Sequence, residues 1–293
     1  DESRDPGPGR APRPPPRIRH PLGARGEGRF DAQATPLVAR RLAAGERLDM
    51  RNPRARLIVP GLPALGGTVR LSPEEAAHAN ARRLRVGDAV LLSDGSGRSA
   101  LSEIVRLSRG EVIARVREIV AGGRGGVPIS LYLAGLRPER LAWAVEKATE
   151  LGTARVVVVA SDRTQSFRAS AGLMPRLDRV ARESSKQCGR PDWPAVSGPV
   201  DLASVLEKER CRHRLFLDFD GDRFPRRMAA APSALLVGPE GGWTDDERER
   251  AVRHGWKVVA LPAGLLRAET AAVAALVLLR FASGAGPRKP KTS

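Results

Sequence analysis

Arg267, Glu269 and Thr270 stand together immediately before Ala271 to Leu279, an unbroken apolar run. A carboxylate can accept a proton and a guanidinium can stabilise the negative charge left behind, so Glu269 beside Arg267 is a pairing suited to acid-base chemistry. Part of this cluster has a cheaper reading at the start of a helix, where Thr270 serves as a cap and Glu269 is favoured by the helix dipole. Arg267 resists that reading, because a cation there opposes the dipole and calls for an anionic partner.

These residues need elements to hold them. Ser233 to Val237 is an apolar run of strand length, and Thr244-Asp245-Asp246-Glu247 has the cap and acidic first turn that open a helix. Between them lies Gly238-Pro239-Glu240-Gly241-Gly242, whose glycines allow backbone angles and close approaches that side chains forbid. A flat ligand can lie against bare peptide groups there, although a tight strand-to-helix turn uses the same glycines without any ligand. No Gly-Lys-Ser/Thr follows, so this is not a Walker loop and triphosphate binding is unsupported. Lys257 to Leu261 predicts a second strand, and Ala268 to Phe281 a helix apolar nearly all round. Two such turns close in sequence wall one small-molecule site. A second polar set stands on another predicted helix, Leu173 to Gln187: Glu183 and Gln187, four apart and on one face, with Arg190 beyond.

In their order and wording, these segments resemble the 16S ribosomal RNA uracil-N3 methyltransferases of the knotted SPOUT superfamily. The resemblance rests on Gly238 to Gly242, on Leu265-Leu266-Arg267-Ala268-Glu269-Thr270-Ala271, and on three further segments: Lys147 to Gly152, Ser161-Asp162-Arg163-Thr164, and Ala181-Arg182-Glu183 with Gln187 to Pro191. It spans roughly residues 55 to 283. Two places depart from the family pattern. Leu261-Pro262-Ala263-Gly264 lacks an arginine that the family carries, and His78 to Arg83 is one residue short. The resemblance implies S-adenosylmethionine (SAM) as cofactor, held mainly by backbone groups of Leu236, Val237, Gly238, Pro239, Glu240, Gly241 and Gly242 and of Leu261, Leu265 and Leu266. It implies methylation of N3 of a uridine in 16S ribosomal RNA of the small subunit, with Arg267 and Glu269 catalytic. Arg70, Arg82, Arg83, Arg163, Glu183, Gln187 and Arg190 are the implied RNA contacts, and a homodimer the implied assembly. No metal is needed, since a sulfonium is already an activated leaving group. A nonenzymatic RNA-binding ribosome factor, or a SPOUT enzyme acting on another RNA nucleotide, is the alternative.

Composition points to the same kind of partner independently. Lys and Arg number 50 against 33 Asp and Glu, a formal net charge of +17. The first fifty residues hold 10 basic and 7 acidic side chains, so +14 falls on the rest. Such a charge fits a polyanion, and a genome that favours arginine codons yields the same excess without one. With aromatics at 4%, phosphate contacts rather than stacking should dominate affinity. Cys188 and Cys211 form neither a disulfide framework nor a zinc set, and His20, His78, His213 and His254 are too scattered for a metal. A reducing, cytoplasmic setting follows from the cysteine usage, and the longest apolar run is far too short to span a membrane.

The chain divides into three parts. Residues 1–50, rich in Pro, Gly and Arg, predict a disordered extension, helical between Pro36 and Ala44. Residues 51–120 carry short strands at Leu57 to Val59, Thr68 to Leu71, Ala89 to Leu92, Ala100 to Arg106 and Glu111 to Ile119, plus a helix opened by Ser72-Pro73. A small β-barrel follows, which the resemblance makes a PUA-like RNA-binding domain. Beyond the glycine-rich hinge at Ala121 to Gly126, residues 127–285 alternate strands and helices, predicting a parallel sheet with helices on both faces. In such an α/β sheet ligands sit beyond the strands' carboxyl ends. The trefoil knot of this domain is implied by the resemblance alone.

Overall fold

A computed structural model describes residues 52–108, 110–120, 126–164 and 170–284. The extension expected over residues 1–50, with its helix at 36–44, and residues 121–125 of the expected hinge lie outside the described residues.

The first unit comprises β1 (Ala55–Ile58), β2 (Thr68–Arg70), α1 (Pro73–Ala81), β3 (Ala89–Ser93), β4 (Ser99–Ser108) and β5 (Glu111–Val120). Its five strands form one mixed sheet in the order β1-β3-β4-β5-β2, with β1 and β3 parallel and the other pairs antiparallel. Two register shifts between β4 and β5 bend this sheet, and Leu57, Leu92 and Ile104 pack with Ala76 and Ala79 of α1 in one core. Ser72 caps α1, its hydroxyl accepting from the Glu75 amide at 3.2 Å, with Pro73 at the first helical position as the spacing predicts.

The second unit contains β6 (Ile129–Ala134), α2 (Pro138–Glu150), β7 (Arg155–Ala160), α3 (Leu173–Cys188), β8 (Ala195–Asp201), α4 (Leu202–Lys208), β9 (His213–Arg223), β10 (Ser233–Val237), α5 (Asp245–Arg253), β11 (Lys257–Ala260) and α6 (Ala268–Ala282). Its six strands are all parallel, in the order β11-β9-β10-β6-β7-β8. Because side chains alternate across a strand, β10 sends Leu235 and Val237 into a core with α2, α3 and α6, and Ala234 and Leu236 into a second core with α4 and α5. Both faces are covered, which is why these strands read as continuous apolar runs. β8 and α4 are not among the elements expected from the sequence. Pro194, Gly198 and Pro199 disguise β8, and the structure explains how they are tolerated: β8 is an edge strand, alternately exposed along its length.

Two connections matter for the site. Strands β9 and β10 are parallel neighbours joined by residues 224–232, which form no helix. That segment is pinned by Phe224 N–H to Ala260 O at 3.0 Å and Met228 N–H to Ala282 O at 2.8 Å, so it runs along the flank of β11 and α6. The two units meet at the end of α3. There Lys186 Nζ lies 2.7 Å from Glu75 Oε1 and 2.6 Å from Glu183 Oε1, Arg56 Nη1 donates to Gly189 O at 3.0 Å, and Gly95 lies against the Trp193 ring, leaving no room for a side chain.

Candidate functional site

In the strand order, β9 lies between β10 and β11, so the turns leaving β10 and β11 flank the carboxyl end of β9. The result is one cleft of about 290 Å³, mostly apolar, with three contributions. Leu217, Asp218 and Phe219 come from β9. Val237 to Glu240, Gly242 and Trp243 form one wall, and Leu261, Ala263 to Leu266, Ala268 and Ala271 the other. The two turns thus converge as their closeness in sequence predicts, at the strand ends where an α/β sheet keeps its ligands.

The glycine turn is locked from behind. Trp243, buried, donates its indole N–H to Leu217 O at 2.9 Å and packs on Phe216 with ring centroids 4.6 Å apart. A side chain on Gly238 would begin 2.8 Å from that indole, and Gly242 adopts φ +70°. Those are the two glycines the turn requires. Thr244 closes it with a capping box on α5, accepting from the Glu247 amide while Glu247 Oε2 accepts from the Thr244 amide. Glu247 Oε1 also accepts from Asp162 N–H at 2.9 Å, tying the 3-10 turn Asp162–Thr164 to the same corner.

Eight of the ten residues expected against the cofactor line the cleft: Val237, Gly238, Pro239, Glu240, Gly242, Leu261, Leu265 and Leu266, whereas Leu236 and Gly241 do not. Leu236 points into the core beneath α5. Gly241 faces Arg163, whose Nη1 donates to the Gly241 carbonyl, and a Cβ there would meet only ordinary contacts at 3.5 Å.

Arg267 and Glu269 flank the second wall rather than line it. Arg267 is the N-cap residue of α6, its side chain makes no capping bond, and it is exposed without an ion pair or hydrogen bond among the described residues. Thr270 is exposed at the third helical position and caps nothing, contrary to the sequence reading. Glu269 is buried, with Oε1 3.7 Å from Arg140 Nε and Oε2 sealed from solvent without a hydrogen-bond partner. Arg140, in the first turn of α2, also pairs with Glu240 of the glycine turn. The sequence reading missed Arg140, although it carries the signal that singled out Arg267: a cation in the first turn of a helix, opposing the dipole. It missed Asp218 and Phe219 as well, since nothing local marks the end of β9 as a floor.

The remaining expected residues are dispersed. Glu183 pairs with Lys186 at the joint between the units, and Arg190 Nη2 donates to Asp192 Oδ1 at 2.8 Å while packing over Gly152. Arg280, at the far end of α6, donates to the Leu151 and Gly152 carbonyls beside them. From Arg267 to Arg280 is about 20 Å along the helix, so within one chain this second polar set does not meet the cleft. Gln187 is exposed on the same helix end. In the first unit, Arg70 lies 3.7 Å from Glu111 and precedes α1, whereas Arg82 and Arg83 follow it, about 15 Å away along the axis. Arg83 has φ +53°, a left-handed position usually given to glycine.

The rest of the described chemistry offers little competition. Among the described residues no cluster of His, Cys, Asp or Glu is placed to hold a metal, and no helix is long and apolar enough to cross a membrane. Burial raises the Cys188 thiol, and burial with Glu209 nearby pushes Cys211 up to about 11, so neither is poised as a nucleophile.

A parallel sheet with a walled cleft at its strand ends, joined to a small basic β unit, defines a class that the comparisons specify. Residues 124–280 match the RNA methyltransferase domain, and residues 71–117 the RNA methyltransferase PUA domain. This chain is 30% identical over 231 residues to the ribosomal RNA small subunit methyltransferase E of Mycobacterium tuberculosis, covering 74% of this chain and 88% of the relative. It is 27% identical over 236 residues to the protein of that name from Bacillus subtilis, covering 73% and 90%. The chain therefore belongs to the RNA methyltransferase family, in its small subunit methyltransferase E branch. Among solved structures, a methyltransferase of Legionella pneumophila, in complex with the bound cofactor SAM, is similar with a TM-score of 0.71 and 27% identity over 77% of this chain and 96% of that one. A relative from Neisseria gonorrhoeae shares the fold with a TM-score of 0.72 and 24% identity, covering 77% of this chain and 96% of that one.

Proposed function

We propose that this protein uses SAM to methylate N3 of a uridine in 16S ribosomal RNA, within the small ribosomal subunit. The observation that carries the reading is the convergence of the two turns on one cleft with Arg267 free at its edge. The residues present fit the cofactor: a mostly apolar slot suits adenine, the turn held open by Gly238 and Gly242 presents peptide groups, and Asp218 and Glu240 are the carboxylates in its lining. When bound, SAM supplies a methyl group on a sulfonium.

Uracil N3 holds its proton at neutral pH, so the protein must remove it or stabilise the anion that remains. The planar guanidinium of Arg267 matches the charge spread over the carbonyl oxygens flanking N3. Glu269 is the proposed proton acceptor, because its Oε2 is buried and unspent while Arg140 holds the other oxygen. Arg140, bridging Glu240 and Glu269, ties the first wall to the start of α6 and so positions the pair. Arg70, Arg82 and Arg83 of the PUA unit are the proposed phosphate contacts. A homodimer is supported by Val277 and Phe281, four apart on α6 and exposed at 48% and 82%.

The test is transfer of labelled methyl from SAM to small subunits from cells lacking this activity, followed by mass-spectrometric mapping of the product. A single N3-methyluridine in 16S RNA is expected. Methyl groups on another atom or another RNA would remove the specificity and leave the family.

A further inference from the structure

A second groove, of about 1170 Å³, opens on the other side of the turn that walls the cleft. Leu261 and Ala263 belong to both, so a chain lying in the groove passes the mouth of the cleft. Arg223, Arg226 and Arg227 line it, carried by the end of β9 and by the connection pinned to β11 and α6. All three are exposed, and none has an ion pair or hydrogen bond from its side chain among the described residues. The neighbouring acids are otherwise engaged: Asp218 and Asp220 face Arg248, and Asp222 faces Lys257. Three unneutralised guanidiniums on one wall repel one another unless an anion joins them, and their forks match phosphate oxygens.

We infer that this groove holds the RNA backbone flanking the target nucleotide, with Arg223, Arg226 and Arg227 on consecutive phosphates of a single-stranded segment. The inference rests on the RNA methyltransferase reading above and names where the substrate strand lies. It assigns orientation to the groove and base chemistry to the cleft, so losing the arginines raises the KM for RNA while leaving the cofactor in place. The groove ends at Phe281, beside the stripe of α6 proposed to join two copies, which makes a second copy of this chain the competing occupant.

The test is the full-length protein carrying Arg226→Glu with Arg227→Glu, compared with the parent by filter binding to 16S RNA over a salt series. Affinity at low salt should fall at least tenfold, and the log-log salt slope should flatten by about one to two, as for loss of two single-strand phosphate contacts. SAM affinity by calorimetry, melting temperature and mass by light scattering should match the parent. Unchanged RNA affinity and slope would overturn the inference. So would a loss of dimer mass with the slope unchanged, which would make the groove a contact between copies. If charge reversal prevents folding, Arg226→Gln with Arg227→Gln must weaken RNA binding in the same direction, and parental binding by that variant overturns the inference. A parent that methylates 16S RNA while the variants bind it normally sinks the groove alone; a parent that neither binds nor methylates RNA sinks both readings.

Discussion

The two ends of α6 hold arginines of the same type in opposite circumstances. At its start the Arg267 side chain has no partner among the described residues, beside a buried Glu269 with one oxygen unspent. At its other end Arg280 is spent on the carbonyls that terminate α2, and Arg190 on Asp192. Burial, and then the nearby Arg190 charge, lower the affinity of Arg280 for its proton. The same side chain thus seals a helix end in one place and is left unpaired in the other, where an anion is the proposed partner. Partnering, rather than residue type, separates the chemistry of this fold from its construction.

The widest separation between the two ends should appear in rate. Arg267→Ala is expected to lower single-turnover methyl transfer by about 10²–10³-fold, as for loss of an oxyanion-type donor, with SAM affinity unchanged. Arg267→Lys should recover part of it, keeping charge without the planar fork. Arg190→Ala, at the spent end, should stay within a few-fold in rate. Equal losses in Arg267→Ala and Arg190→Ala, with saturating SAM and 30S subunits, would erase the distinction.

Stability should reverse the ranking. Lys186, with Glu75 and Glu183, is a cation consumed by construction; burial pulls its pKa down, but the bonds from Glu183 and Glu75 outweigh this and leave it raised. Lys186→Met strands Glu75, whose Oε2 already lacks a partner, and should cost roughly 3 kcal/mol in urea unfolding. A midpoint equal to the parent's would show that the joint between the units is not held there.

Glu269→Gln sharpens the comparison at the free end. If the carboxylate accepts the N3 proton, the rate of the variant should fall near neutral pH and climb as rising pH ionises the uracil itself, moving the profile upward. A uniformly lowered profile of parental shape would limit Glu269 to orienting neighbours.

Smaller effects come from the backbone. Arg83→Gly should stabilise the protein by about 1 kcal/mol, since glycine adopts the left-handed position without the side-chain penalty, and should weaken RNA binding if Arg83 is a phosphate contact. A thermal melt with a filter-binding salt series reads both. Smallest of all, Gly241→Ala should leave SAM affinity unchanged, because its Cβ meets only ordinary contacts at Arg163, whereas Gly238→Val collides with Trp243 and should abolish binding. Loss of affinity in Gly241→Ala would return that residue to the cofactor wall.

Much of this was legible in one dimension, where the physics is local. Caps at Ser72 and Thr244, the boundaries of α2, α3 and α6, the alternation that makes a parallel sheet, and the two turns of the cleft all follow from neighbours within a few residues. β8 was hidden because prolines are tolerated only where a strand turns out to be an edge, a property of the sheet. Strand order alone made Asp218 and Phe219 a floor, and helix packing alone set Arg140 beside Glu269. The same limit separates the two polar sets: sequence ranks Arg267, Arg163 and Arg190 by type and motif, but whether a guanidinium is consumed by a carbonyl, a carboxylate or nothing depends on what the fold brings within about 3 Å of it. Residue types and turns were therefore settled by the chain, and the assignment of free and spent charge by the tertiary structure.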